Sequence, residues 1–372
     1  MPEWQATERE AYLALALVPG IGAVRLRALL EHFETPSAAL AARLSALSRV
    51  PDVPAEVATA ILQANRAAAT RILAVVHAAG WRFLLPEDPD FPEMLASIPD
   101  PPTYLFLQGN LALLERPAVA IVGSRDHTRY GAEVCRAVAR AAAEAGLVVV
   151  SGMARGLDAI AHWGALDAKG DTIGVLGNGL GVIYPQSNRA LYEQVVNRGL
   201  LLTECLPGER PKEGGFPRRN RLISGLARVT VVVEAAMTSG ALQTSRWAQN
   251  QGREVLAVPG PITSPVSIGV NDLIRDGAAP LLDLTDLLCH YPECGTRQPA
   301  RGDTKVPDAG QPLERRLLNA LQHEPLQAEQ LVELSGAPVG DALDALSTLE
   351  LSGKVQREQG GHYRLVATGL FR

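Results

Sequence analysis

The 372-residue chain reads as an α/β protein: a doubly wound parallel-sheet core with a helical domain before it and a winged-helix domain after it. Six apolar runs carry the first part: AVAIVG (118–123), LVVVSG (147–152), TIGVLG (172–177), LLLTEC (200–205), VTVVVEA (229–235) and EVLAVPG (254–260). None alternates in and out, which suits strands buried on both faces. The segments between them, such as 129–145 and 154–169, are long enough for crossover helices, and six such units in series predict a doubly wound sheet. The change of texture at either end of this region supplies the flanking domains.

Residues 1–80 predict helices, because Leu13, Leu17, Leu26, Leu29, Leu30 and Phe33 recur at helical spacing. VPGIGAVRLRALL from Val18 and VPDVPAEVATAIL from Val50 align without gaps. Each puts a Pro-containing turn before an amphipathic helix, a duplicated helix-hairpin-helix unit. The core is expected over 81–290, with WRFLL (81–85) and TYLFLQG (103–109) as further edge strands. Residues 291–312 carry four Pro and three Gly, a linker composition. Residues 313–372 give three helices and a hairpin around Gly360-Gly361, the outline of a winged helix.

Composition bounds the function. A formal net charge of -5 excludes a uniformly basic nucleic-acid coat, so any DNA site is a local patch. Four cysteines make no disulfide framework. No apolar stretch is long enough for a membrane span, and the first residues lack a signal-peptide pattern, so a cytoplasmic setting is expected.

In open α/β sheets ligands sit beyond the carboxyl ends of the strands. There the runs continue into Gly123-Ser124-Arg125, Ser151-Gly152 before Arg155, a glycine turn at 177–181, and EAAMTSGAL (234–242). Small residues let a backbone approach, and helix N-termini offer N–H groups to an anion. Residues 207–228 hold six basic residues against two acidic ones in this acidic chain: Arg210, Lys212, Arg218, Arg219, Arg221 and Arg228. Arg125, Arg129, Arg155 and Arg189 are expected on the same rim. Phe216 stands inside the basic stretch. Guanidinium groups for phosphates and an aromatic face for an unstacked base are what single-stranded nucleic acid requires.

The pieces IVGSR (121–125), SGMARGLDAIAHWGAL (151–166), VLGNGLGVIYPQSN (175–188), FPRRNRLISGLA (216–227), SGALQTSRWAQNQGREVLAVPG (239–260) and GVNDLIRDGA (269–278) resemble, in order, the DNA-processing protein A family (DprA, also called Smf). The resemblance implies a Rossmann-like core between a helical and a winged-helix domain. It also implies a non-enzymatic protein without cofactor. Such a protein binds single-stranded DNA, dimerises through its core and loads RecA recombinase in natural transformation. Carried over by motif, the DNA pocket falls on Ser124, Arg125, Phe216, Arg218, Arg219, Asn220, Arg221, Ser239 and Gly240. Arg125 and Arg221 would pair with phosphates, Phe216 would stack on a base, and Gly240 would admit the strand. A lysine position of the family is filled near Lys212; the position after the YP turn offers Gln186 and Arg189 instead.

Other chemistries are weaker. Phosphoribohydrolases acting on nucleoside monophosphates share the superfamily fold, but 239–244 lacks their glutamates, and the nearest acids are Glu234 and Glu254. GSRDHT after the first run is not a GxGxxG dinucleotide motif. Asp158 and His162 share a helix face, yet two ligands do not hold a metal, and Cys289, His290 and Cys294 lack a second CxxC half. The Gly20 and Gly22 turn is a second candidate phosphate contact, whereas Pro51, Asp52 and Pro54 make the second hairpin inert. Residues 313–366 carry five basic and eight acidic residues, and the expected recognition helix has no Lys or Arg. That face would be repelled by a phosphate-lined groove, which predicts a protein-interaction or dimer-control module.

Overall fold

The computed structural model describes residues 3–212, 214–294, 312–321, 325–357 and 361–366. They form two compact units, one ending at Cys294 and one beginning at Gly295.

In the first unit a nine-stranded sheet comprises β1 (Arg82–Leu84), β2 (Leu105–Gly109), β3 (Ala118–Val122), β4 (Val148–Ser151), β5 (Thr172–Val175), β6 (Leu200–Thr203), β7 (Val229–Val232), β8 (Glu254–Ala257) and β9 (Ala279–Pro280). Their order is β1-β2-β6-β5-β4-β3-β7-β8-β9. Strands β3 to β9 pair in parallel, with registers such as Val119↔Val149 and Ile121↔Val231. Strands β3 to β7 are buried at every position, as the unbroken apolar runs require. The β1–β2 and β2–β6 pairs are antiparallel, so the sheet is mixed and the 103–109 segment lies one strand inside the edge. Strand β9 has only two residues, one a proline, and gave no periodic signal.

From β3 the strand order runs one way through β4, β5 and β6 and the other way through β7, β8 and β9. The reversal lies between β3 and β7, and a crevice opens there at the carboxyl ends of the strands.

The helical domain packs against this core. Its buried Leu13, Leu26, Leu29, Leu47 and Ile61 join one apolar cluster with Phe83, Leu85 and Phe106. Arg9 ties the two together, its Nη1 donating to Asp88 at 2.6 Å and its Nη2 to the Phe83 carbonyl. The two hairpin turns are equivalent in backbone: Gly20 has φ +88° and its counterpart Asp52 φ +60°. Arg25 donates to the carbonyls of both, at 2.5 and 2.7 Å, so this arginine bridges the two halves of the duplicated unit at its surface.

Residues 291–294, expected in the linker, finish the core instead. Tyr291 is fully buried; its hydroxyl donates to the Ala118 carbonyl at 2.7 Å and accepts from the Val229 amide at 3.2 Å. The remaining linker residues through 311 lie outside the described residues.

The second unit has helices Leu313–Ala320, Ala328–Ser335 and Val339–Leu351, with strands β10 (Leu326–Gln327), β11 (Val355–Arg357) and β12 (His362–Leu365). Strand β12 pairs antiparallel with both others, completing a winged helix. Gly360 at the wing turn lies outside the described residues, while Gly361 has φ +82°.

Candidate nucleic-acid interface

The crevice between β3 and β7 opens into a cavity of about 460 Å³. Ser124, Arg125, Phe216, Arg219, Asn220, Ser239 and Gly240 all line it. A second cavity of about 360 Å³ shares Arg125 and Phe216 and adds Arg155, Asn178 and Tyr184. Phe216 therefore stands between two hollows. Its ring centroid lies 5.5 Å from that of Tyr184 and 5.9 Å from the Arg125 guanidinium carbon. Phe216 is half-buried and Arg125 exposed, so part of the ring and a cation are both presented to solvent. Gly177 makes room for the ring: a Cβ there would stand 2.6 Å from Phe216 Cδ1.

The turn after β3 is shaped by its own side chain. Ser124 Oγ donates to the Asp126 carbonyl at 2.7 Å and accepts from the Asp126 amide at 3.1 Å. That hydroxyl is engaged in the turn, and what the segment offers a ligand is Arg125. Ser239 plays the same part across the crevice, where its Oγ accepts from Ala241 N at 3.2 Å as a helix N-cap. Asn220 donates to the Gly240 carbonyl at 3.3 Å and fixes the two walls relative to each other. Gly240 is exposed, with open space where a Cβ would stand.

The arginines of helix Gly215–Gly225 divide by face. Arg218 points out, with 69% of its side chain exposed. Arg219 points in: its Nη1 donates to the Gly152 carbonyl at 2.6 Å and to the Val175 carbonyl. Burial pulls its pKa down, and the neighbouring Asp158 opposes that. Asp158 is pushed up by burial, against Arg219 and the amides of Ala154 and Gly152.

Arg221 corrects the expectation that it grips a phosphate. Its side chain is only 1% exposed, and it forms a two-pronged pair with Glu204 at 2.5 and 2.7 Å. Its Nε lies 2.9 Å from an Asp100 carboxylate oxygen. Neither acid is near Arg221 in sequence, so no pattern announced them.

Arg155 is exposed and pairs with Asp126 at 3.1 Å at the cavity mouth. Lys212 is exposed and paired with Glu209 at 2.8 Å, and Arg189 donates to Gln186 at 3.1 Å; neither lines the two cavities. Gly20 and Gly22 are exposed on the helical domain.

The Asp158–His162 pair explains itself as support for the turn after β4. The Met153 amide donates to His162 Nε2 at 3.4 Å. His162 Nδ1 lies 2.6 Å from Thr172 Oγ1, which donates to the Val149 carbonyl, so the imidazole is neutral with its proton on Nδ1. Burial lowers its pKa to about 3. Asn188 donates to the Met153 and Ala154 carbonyls at 3.0 and 3.1 Å. Met153, at φ +55°, is thus held on both sides beside the cavities.

Among the described residues no group of three or more His, Cys, Asp or Glu could hold a metal, and no helix is long and apolar enough to cross a membrane.

The sequence over 82–292 matches the family of DNA recombination-mediator protein A. Residues 301–361 match the DprA winged helix domain, and 12–67 a SAM-like helix-hairpin-helix tandem. Protein Smf of Synechocystis is 35% identical over 96% of this chain and 99% of its own. DNA processing protein DprA of Streptococcus pneumoniae is 44% identical over 55% of this chain and 72% of its own. The solved structure of the pneumococcal protein superposes with a TM-score of 0.66 at 35% identity, covering 75% of this chain and 97% of that one. DprA of Helicobacter pylori, solved for its single-stranded DNA binding mode, superposes at 0.52 with 31% identity, over 57% of this chain and 96% of that one. The chain belongs to the DNA recombination-mediator protein A family.

Proposed function

We propose that this protein binds single-stranded DNA with little sequence preference in the crevice between β3 and β7, and hands it to RecA recombinase during natural transformation. The observation that carries the first step is the Arg125–Phe216 pair at the mouth of two adjoining cavities. An unstacked base lies against the Phe216 ring while Arg125 and Arg155 neutralise phosphates. The printed subject of the Helicobacter pylori relative, a single-stranded DNA binding mode, supports the same ligand class. Equilibrium titration with a labelled oligo-dT tests it: the wild type binds, and a variant lacking Arg125 and Phe216 does not.

Dimerisation through the core, in a cytoplasmic protein, belongs to this reading. Ile262 (89% exposed), Ile268 (48%) and Leu282 (72%) follow the outer strands β8 and β9, where a second copy would cover them. The winged-helix unit is read as a protein-interaction module. Its helix Val339–Leu351 exposes Val339, Leu343 and Leu351 beside Asp341 and Asp344, an apolar and acidic face.

Hydrolysis of nucleoside monophosphates is the rival reading, and the carboxylates that line the cavity, Asp126 and Asp158, are already set against Arg155 and Arg219. Glu234 is buried, accepting from the Thr128 amide at 2.9 Å and its hydroxyl at 2.5 Å, and it does not line the cavity. We therefore assign no catalytic residue and no cofactor. Incubation with nucleoside monophosphates is expected to release no free base.

A further inference from the structure

A third hollow of about 400 Å³ lies on the far side of helix Gly215–Gly225. Helix Gly240–Asn250 supplies one wall through Gln243, Arg246, Trp247 and Asn250. Spaced i, i+3, i+4 and i+7, these four side chains share one helix face. Arg218 and Arg221, one turn apart on the neighbouring helix, supply the other wall. The two helices are locked together by Gln251, whose amide donates to the Arg221 carbonyl at 2.8 Å.

Two features make this hollow more than a furrow between helices. Its chemistry repeats that of the Phe216 site: a half-buried aromatic, Trp247, between two exposed cations, Arg218 and Arg246. The one acid in its lining, Asp100, is ion-paired with Arg221; Arg218 has Glu204 at 3.9 Å, itself paired with Arg221, and among the described residues no carboxylate lies within ion-pairing distance of Arg246. The hollow also adjoins the crevice. Pro217 and Gln243 line both, so they form the low ridge that separates the Phe216 site from the Trp247 site.

We infer that Trp247, Arg246 and Arg218 form a second base-stacking subsite, which takes the single-stranded DNA leaving the Phe216 slot over the Pro217–Gln243 ridge. Arg218 and Arg246 line the hollow as phosphate partners, and Trp247 offers a π face to a base one step further on. Gln243 at the ridge can donate to a phosphate or accept from a base edge. The inference rests on the crevice reading above and extends it in direction: the strand crosses the N-terminal half of helix Gly215–Gly225 toward helix Gly240–Asn250.

The test is titration of the full chain with labelled oligo-dT of roughly four and roughly twelve nucleotides, lengths at the two ends of the range such sites cover. Trp247→Ala and Arg246→Gln are expected to weaken the longer oligonucleotide about tenfold and to leave the shorter one unchanged. Trp247→Phe, which keeps an aromatic face and the packing, is expected to bind the longer one nearly as the wild type does. It should also lose the quenching of tryptophan fluorescence that the longer strand causes. If Trp247→Ala and Arg246→Gln bind both lengths as the wild type while Phe216→Ala weakens both, the second subsite is refuted and the crevice reading stands. If the wild type binds neither length, both fall together.

Discussion

The guanidinium carbon of Arg125 lies 5.9 Å from the ring centroid of Phe216, although the two residues are 91 positions apart and come from opposite walls of the crevice. The contact exists because Arg125 sits in the turn after β3 and Phe216 at the start of helix Gly215–Gly225, between β6 and β7, and both reach the same crevice. Cation and ring support one another at the mouth of the two cavities.

Replacing the ring is the direct consequence. Phe216→Ala should weaken oligo-dT binding by about 1–3 kcal/mol, the usual loss for a base-stacking aromatic. Fluorescence anisotropy measures it, and a thermal melt close to that of the wild type separates the effect from misfolding.

Gly177→Ala should reproduce much of that loss without touching Phe216. The added methyl would stand 2.6 Å from the ring carbon and push the ring out of its place between the cavities. Oligo-dT affinity is expected to fall, and a Gly177→Ala protein binding as the wild type does would show that the ring position is not used.

Arg125 and Arg221 should separate cleanly. Arg125 is exposed, so Arg125→Ala should lower DNA affinity and leave the melting temperature unchanged. Arg221 is buried between Glu204 and Asp100. Removing it leaves Glu204 with only Arg218, 3.9 Å away, and breaking a buried pair from one side costs about 3–5 kcal/mol. Arg221→Ala is therefore expected to melt well below the wild type in calorimetry.

This contrast marks where the sequence was legible. The apolar runs 118–123 to 254–260 gave the parallel strands because strands buried on both faces leave a one-dimensional signature. The glycine and serine turns gave the rim, because sheet topology puts every such turn at one edge. The sequence did not tell which arginines of helix Gly215–Gly225 face out. Arg219 and Arg221 turn inward because Asp158, Glu204 and Asp100 await them, and those acids come from three distant segments. Tyr184 was passed over as part of a turn, although it stands 5.5 Å from Phe216. The end of the core at Cys294 was hidden because Tyr291 sits in a Pro- and Gly-rich stretch and is anchored by backbone groups far away.

Salt should weaken DNA binding, and the slope counts the exposed cations. Once the buried arginines are set aside, Arg125 and Arg155 line the cavities, and Arg189, Arg218 and Lys212 are exposed outside them. Three to five phosphate contacts on a single strand give a log–log slope of roughly -2 to -3.5. Titrations at several salt concentrations read it directly.

Acid should unfold the core through His162. Its pKa is lowered to about 3 by burial, so the unfolded chain binds a proton that the folded one refuses. The stabilisation is complete above the ordinary histidine pKa of about 6.5 and is lost progressively as pH falls toward 3. Denaturant melts at pH 7 and pH 4.5 should show a drop in stability that His162→Gln reduces.

The contact itself is most directly read by ultraviolet crosslinking of the full chain to oligo-dT, with the attached peptides identified by mass spectrometry. Crosslinks on Phe216 or Tyr184 are the expected result, since Phe216 lines both adjoining cavities and Tyr184 lines one of them. Crosslinks confined to the helical domain or to the winged-helix unit, with none in the crevice, would contradict it.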